Sequence, residues 1–435
     1  MDEFVALCTD RYELTMVDAA LESGAAGRRA VFEVFTRRLP PGRRYGVVAG
    51  TARVIHAIEA FRFSDAHIGY LGTLGLSSTA LDWLASYEFG GDVWGYPEGE
   101  VYFPGSPVLT VEATFAEAVV LETMILSTLN HDCAVAAAAS RMVSAADGRR
   151  TIEMGSRRTD PDAAVAAARA AAIAGFDATS NLAAGARYGL ATAGTAAHAF
   201  TLAHLDEDVA FRAQIAAQGV GTTLLVDTYD IPNGLRTAVR VAREFGATGP
   251  GGVRIDSGDL VEETKRARTA LDDLSARDTR IVVSGDLDEF LMDRLLRAGA
   301  PIDVFGVGTS LVTGSGAPTA GLTYKLVAIE DAAGMLQPVA KRSVGKAGVG
   351  GRKVADRVAA ANGAGFRERL LIGPPLRLGG LQEPFVLGGV TQLVPDVNAA
   401  RIRHRRAREL LGPIGLSIEA GDSAVMPELV EAAHV

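Results

Sequence analysis

TTLLVD (222–227), GGVRID (251–256), RIVVSGD (280–286) and IDVFGVGT (302–309) are four short apolar runs, each closing on a polar or glycine-rich turn. Their last residues, Asp227, Asp256, Asp286 and Thr309, follow one another at intervals of 29, 30 and 23 residues. Those intervals are the size of strand–loop–helix units in a parallel sheet. The intervening segments VEETKRARTALDDL (261–274) and DEFLMDRLLRAG (288–299) carry apolar residues at helical spacing with charge on their other faces. The pattern predicts an α/β chain whose economical architecture is a (β/α) barrel, with the strand ends gathered at one mouth. A doubly wound open sheet also lines up its strand-end loops, so spacing alone leaves that alternative open.

Upstream, residues 116–146 read as a helix pair, with Leu, Met, Val and Ala at threes and fours and no proline. After EMGSRR (153–158) a second helix is expected to start at TDPDAA, with Thr159 or Asp160 as N-cap and Pro161 in the first turn. Residues 1–112 mix alternating segments such as RAVFEVFTRRL with the helix-like TARVIHAIEAF, an α+β pattern. Strand-like segments return in KLVAIE, MLQPVAKR and PFVLGGV. The expected organisation is an irregular (β/α) barrel over 113–344 and a discontinuous α+β domain built from 1–112 and 345–435.

Composition narrows the chemistry. Hydrophobic residues at 48% and charged residues at 22% are ordinary globular usage, which argues against disorder. A net charge of −9 opposes an extended nucleic-acid surface, so any phosphate must be met locally. Two cysteines, Cys8 and Cys133, are too few for a disulfide scaffold or a four-thiolate zinc site, and both read as reduced, buried thiols. No other His or Cys spacing spells a metal site, so no protein-held metal is expected. The N-terminus lacks a basic segment followed by an apolar run, and the alanine-rich stretches fall short of the roughly 20 apolar residues that span a bilayer. The expectation is a cytoplasmic protein without a membrane partner.

Arg254 and Asp256 are two residues apart and point to one face of their strand. If that face lines the barrel both are buried charges, which are costly unless paired or functional; Asp227 falls under the same reasoning. The turn FGVGTS offers backbone N–H groups at Gly306, Gly308 and Thr309, and SGD adds Gly285 and Asp286 on the preceding strand. Two neighbouring glycine turns suit an anion, although one alone is commonplace. Arg157 and Arg158 are adjacent and cannot both face one way. In isolation they read as a solvated pair, and His198 in GTAAHAF reads as a packed core histidine.

Together the motifs LCTDRYELTM (7–16), AVFEVFTRRLP (30–40), EMGSRR, GFDATSN (175–181), GTAAHAF (194–200), VDTYD (226–230), GVRIDSGDL (252–260), FGVGTS (305–310) and TYKLVAI (323–329) resemble, in order, those of the nicotinate phosphoribosyltransferase family. The resemblance implies a type II phosphoribosyltransferase fold. It also implies ATP-coupled synthesis of nicotinate mononucleotide and pyrophosphate from nicotinate and 5-phosphoribosyl 1-pyrophosphate (PRPP), within NAD biosynthesis. His198 would be phosphorylated by ATP. Tyr12, Thr195, Arg254 and Ser180 would meet nicotinate, with Tyr12 stacking on the pyridine ring in the site of a partner subunit of a homodimer. Asp227 and Asp256 would hold the ribose or its developing charge, and Arg157 the pyrophosphate. Gly285, Asp286, Gly308 and Thr309 would cradle PRPP, with Mg²⁺ accompanying the phosphates. Related nicotinamide enzymes carry an acid where this chain has Ser180, and a serine avoids repelling a carboxylate. Quinolinate phosphoribosyltransferase, which needs no ATP, is the runner-up, and a catalytically silent nucleotide sensor is the non-enzymatic alternative. Gly350, in GVGGRKV, stands where the family usually has proline.

Overall fold

The computed structural model describes residues 2–341, 348–359, 365–373, 376–377 and 380–431. The chain divides into two compact units, residues 138–316 and residues 1–137 with 317–435. These bounds differ from the expected barrel segment of 113–344. Leu322–Glu330, which the sequence reading assigned to the barrel, instead pairs antiparallel with Arg29–Thr36 in the sheet of the other unit.

The 138–316 unit is built on six parallel strands: β1 (Arg150–Glu153), β2 (Ala178–Thr179), β3 (Thr223–Leu225), β4 (Gly252–Ile255), β5 (Arg280–Val283) and β6 (Val304–Val307). Their order is β2-β1-β6-β5-β4-β3, and the sheet is curled. Among the described residues no ladder joins β2 to β3, so the barrel is irregular and open on that side. Strands β3 to β6 correspond to the four apolar runs of the sequence, and successive runs are neighbours, as short right-handed crossovers dictate. Parallel register aligns Val283 with Ile255 and Arg254 with Leu225, so their C-terminal ends finish level with one another.

Helices return the chain between strands because their inner faces are apolar. In Ile231–Glu244 the buried residues Leu235, Ala238, Val239, Val241 and Ala242 recur at threes and fours. Five of the helices start at an acid: Asp160, Asp206, Asp230, Asp259 and Asp288 all accept backbone N–H groups as N-caps. Asp160 is thus the cap ahead of Pro161, and Gly175 ends that helix at a φ of 115°.

The other unit centres on a seven-stranded sheet. In its core the rings of Phe32 and Tyr324 stack at 4.8 Å, and the Tyr324 hydroxyl donates to the Ala118 carbonyl at 2.9 Å. A buried Lys353–Glu33 pair at 2.7 Å ties a later strand to the first. At Gly350 a Cβ would lie 2.9 Å from the Val339 carbonyl oxygen, so the backbone there fills the room a proline ring would need. Residues 345–347 of the same loop lie outside the described residues. Of the two cysteines Cys133 is buried, as expected, but Cys8 is exposed, because it sits in the segment ahead of the helix Arg11–Ser23. No described helix is long and apolar enough to cross a membrane.

Candidate active site

The C-terminal ends of β3, β4 and β5 assemble one hydrogen-bonded cluster. Arg254, on β4, spends its whole guanidinium fork on it. Nη2 donates to Asp256 Oδ1 at 2.8 Å, Nε to Ser284 Oγ at 2.7 Å and Nη1 to Thr195 Oγ1 at 2.9 Å. Ser284 in turn donates to Asp256 Oδ1. Burial opposes ionisation of Asp256, but the hydrogen bonds from Ser284 and Arg254, with the nearby positive charges of Arg254 and His198, outweigh it and hold the carboxyl below its usual range. Asp256 is therefore an anion at neutral pH, fixed on one side and open on the other.

Asp227, just past β3, is anchored through one oxygen only. Its Oδ2 accepts the Asp256 N–H at 2.8 Å and the Ser257 hydroxyl at 2.7 Å. Its Oδ1 is buried without a hydrogen-bond partner and faces His198, whose Nε2 is 3.8 Å away. The other ring nitrogen of His198, Nδ1, lies 3.1 Å from Thr228 Oγ1. His198 opens the short helix His198–Leu202, and its side chain is 41% exposed against 1% for that of Asp227. A solvent-reachable imidazole thus stands over a buried carboxyl oxygen, an arrangement suited to stabilising positive charge placed on the ring during reaction.

The two glycine turns lie at the ends of β5 and β6. Gly285 has a φ of 106°, and a Cβ there would come 2.5 Å from the Asp256 carbonyl oxygen, so only glycine lets the two strand ends approach. Asp286 follows, exposed, with a φ of 45°. Gly308 packs against Met154, whose N–H donates to Val307, and Thr309 is exposed. Ser180, just after β2, donates its N–H to the Glu153 carbonyl at 2.8 Å. Arg157 and Arg158 are both exposed in the turn after β1, and no hydrogen bond or ion pair among the described residues joins Arg157 to the Arg254 cluster. Tyr12 belongs to the other unit and is 47% exposed. Partial burial and the carboxylates of Glu122, Glu13 and Asp10 push its phenol well above the ordinary range.

Over 98% of its length the chain is 52% identical to nicotinate phosphoribosyltransferase pncB1 of Mycobacterium tuberculosis, and it covers 95% of that protein. The chain belongs to the nicotinate phosphoribosyltransferase family. It is also 39% identical to the nicotinate phosphoribosyltransferase of Bacillus subtilis, over 78% of this chain and 70% of that one. The family's N-terminal domain pattern, described as nicotinate phosphoribosyltransferase (NAPRTase) N-terminal domain, matches residues 7–130. The fold is that of the crystal structure of human nicotinic acid phosphoribosyltransferase, with a TM-score of 0.81, 24% identity and coverage of 97% of both chains.

Within this family member the sequence reading missed several groups at the mouth. Ser284 bridges Arg254 and Asp256, Thr228 meets His198, and Ser257 holds Asp227. Each is a hydroxyl next to a residue already singled out, and strand register is the signal that would have found Ser284. Glu207, buried at the start of the helix Glu207–Gln218, was missed as well. Burial, then Asp230, Asp206 and Asp227, push its carboxyl up to about 7. No group of three or more His, Cys, Asp or Glu side chains among the described residues is arranged to hold a metal.

Proposed function

We propose that the chain is a nicotinate phosphoribosyltransferase that couples synthesis of nicotinate mononucleotide to ATP through a phosphohistidine at His198. Its family membership supports the phosphoribosyl transfer. The observation that carries the ATP-linked step is the reachable imidazole of His198 set 3.8 Å from the buried oxygen of Asp227.

A ring nitrogen of His198 attacks the γ-phosphoryl group of ATP, the bond to the bridging oxygen breaks and ADP leaves. Asp227 stabilises the positive charge this places on the ring. In the transfer step the pyridine nitrogen of nicotinate attacks C1 of the ribose as the C1–oxygen bond to pyrophosphate breaks. Positive charge develops on the sugar, and Asp256 is an ionised carboxylate aimed at the same mouth. Water then hydrolyses the phosphohistidine, releasing phosphate and resetting the enzyme.

Nicotinate recognition falls to Arg254 and Thr195, already joined by a hydrogen bond, with Ser180 admitting a carboxylate where an acid would repel it. Gly285, Asp286, Gly308 and Thr309 receive PRPP, and Arg157 swings onto pyrophosphate. Mg²⁺ enters with the phosphates. The ion would be held chiefly by phosphate and water, with Asp256 and the buried, unpartnered Asp227 Oδ1 as the protein's donors. It would neutralise phosphate charge. Tyr12 stacking on the pyridine ring, a homodimer and a cytoplasmic location complete the proposal.

The test is product analysis with PRPP and Mg²⁺ plus nicotinate, nicotinamide or quinolinate, each with and without ATP. Nicotinate mononucleotide formed from nicotinate, faster with ATP, is the expected result. Product from quinolinate alone, independent of ATP, would overturn the reading.

A further inference from the structure

Glu153, the last residue of β1, is 1% exposed and faces no cationic partner in any hydrogen bond or ion pair among the described residues. Both its oxygens nevertheless accept hydrogen bonds. Oε1 takes the N–H of Gly155, and Oε2 takes the hydroxyl of Thr179, the last residue of β2. The Thr179 hydroxyl oxygen accepts the Asn181 N–H at 2.9 Å, and Asn181 Nδ2 reaches back to Ser156 Oγ at 3.1 Å. The Ser180 N–H donates to the Glu153 carbonyl at 2.8 Å. A closed loop of four hydrogen bonds, completed by the Gly155–Ser156 peptide bond, therefore runs Glu153, Thr179, Asn181, Ser156 and Gly155, with Ser180 pinned beside it. Even the small residue is required: a Cβ at Gly155 would lie 3.0 Å from Glu153 Oε1 and 2.2 Å from Val312 Cγ1.

We propose that Glu153 is a positioning residue for nicotinate selection, latching the β2 loop so that Ser180 is held in place beside the loop that carries Arg157. The inference rests on the proposed role of Ser180. A buried carboxylate is costly, and burial raises the Glu153 carboxyl above its ordinary value. It supplies a fixed geometry that an apolar side chain cannot, because only a forked side chain with two polar atoms can hold Gly155 and Thr179 together.

The test compares Thr179→Val, Glu153→Ala and Glu153→Gln with the wild type in steady-state kinetics. Thr179→Val preserves shape and removes the hydroxyl that links Glu153 to Asn181. It is expected to raise KM for nicotinate about tenfold, leave KM for PRPP within about twofold, and lower the preference for nicotinate over nicotinamide. Glu153→Ala, which also frees Gly155, is expected to raise both KM values. Glu153→Gln should restore most of the nicotinate preference, since the Thr179 hydroxyl can rotate to accept its amide. A folded Thr179→Val with unchanged nicotinate preference, or with equal losses towards nicotinate and PRPP, would overturn the inference. Should Glu153→Ala not fold, Thr179→Val decides alone. A wild-type protein inactive on nicotinate would overturn the proposed function itself.

Discussion

His198 and Asp227 form an asymmetric pair in which the carboxylate is locked and the imidazole is free to react. Asp227 Oδ2 is committed to Asp256 N–H and Ser257 Oγ, which leaves Oδ1 alone to face His198 Nε2 across 3.8 Å. That division of labour fixes the carboxylate through groups of the chain itself.

Asp227→Asn keeps the shape and one acceptor but loses the charge opposite the ring. Nicotinate-stimulated ATP hydrolysis is expected to fall by about 10²-fold or more, the scale of losing a positioned acid–base partner, while the melting temperature changes little. Coupled-assay ATPase rates check this, and a rate within a factor of two of wild type would count against the pair.

Ser284→Ala removes the hydroxyl that accepts from Arg254 Nε and donates to Asp256. Leaving such charged partners short of a hydrogen bond costs about 1–3 kcal/mol. At about 1.4 kcal/mol per decade this predicts roughly a tenfold loss in kcat/KM for nicotinate. The pH profile should also shift, because Asp256 loses the strongest of the hydrogen bonds that lower it.

On the proposed role of Ser180, Ser180→Asp would place a second carboxylate near the one on nicotinate. The variant should lose nicotinate turnover about tenfold or more, the scale of a like-charge clash, while PRPP binding measured by calorimetry holds. Equal nicotinate kinetics in variant and wild type would remove Ser180 from the recognition set.

Glu207 gives a prediction about stability and pH. Its folded value of about 7 lies above the unfolded 4.5, so the folded state holds the proton more tightly. Its carboxyl is therefore neutral in both states at low pH. As pH rises from 4.5 to about 7 the unfolded chain ionises first, and stability falls across that window. Glu207→Gln should raise the melting temperature at pH 8 by roughly 2–4 °C for each kcal/mol relieved and leave it unchanged at pH 4. Scanning calorimetry at both pH values checks the sign; a variant less stable at pH 8 would reverse it.

Much of this site was legible in the sequence because it is periodic. Asp227 and Asp256 were legible as strand ends, since chain spacing fixes where a strand–helix unit must close, and the Arg254–Asp256 contact follows from the alternation of one strand. Ser284 was not, because its link to Arg254 depends on which strand lies beside β4. Glu153 and Thr179 were hidden for the same reason: β1 and β2 are short, sit outside the regular spacing and meet only through sheet order. His198 carries no local mark at all. Its meaning comes from Asp227, 29 residues further on, and before the fold is known only family resemblance singles it out. The assignment of Leu322–Glu330 to the barrel failed because a strand's own residues do not say which sheet will take it.

The most direct test of the ATP-linked histidine is phosphorylation itself. Purified protein incubated with γ-labelled ATP and Mg²⁺, then resolved by intact mass and by acid and base treatment, should carry up to one phosphate per chain. That phosphate should be labile to acid and stable to base, be lost on adding nicotinate and PRPP, and be absent from His198→Ala, which should retain slow ATP-independent transfer. Label that persists in His198→Ala, or an enzyme fully coupled to ATP without it, would contradict the account.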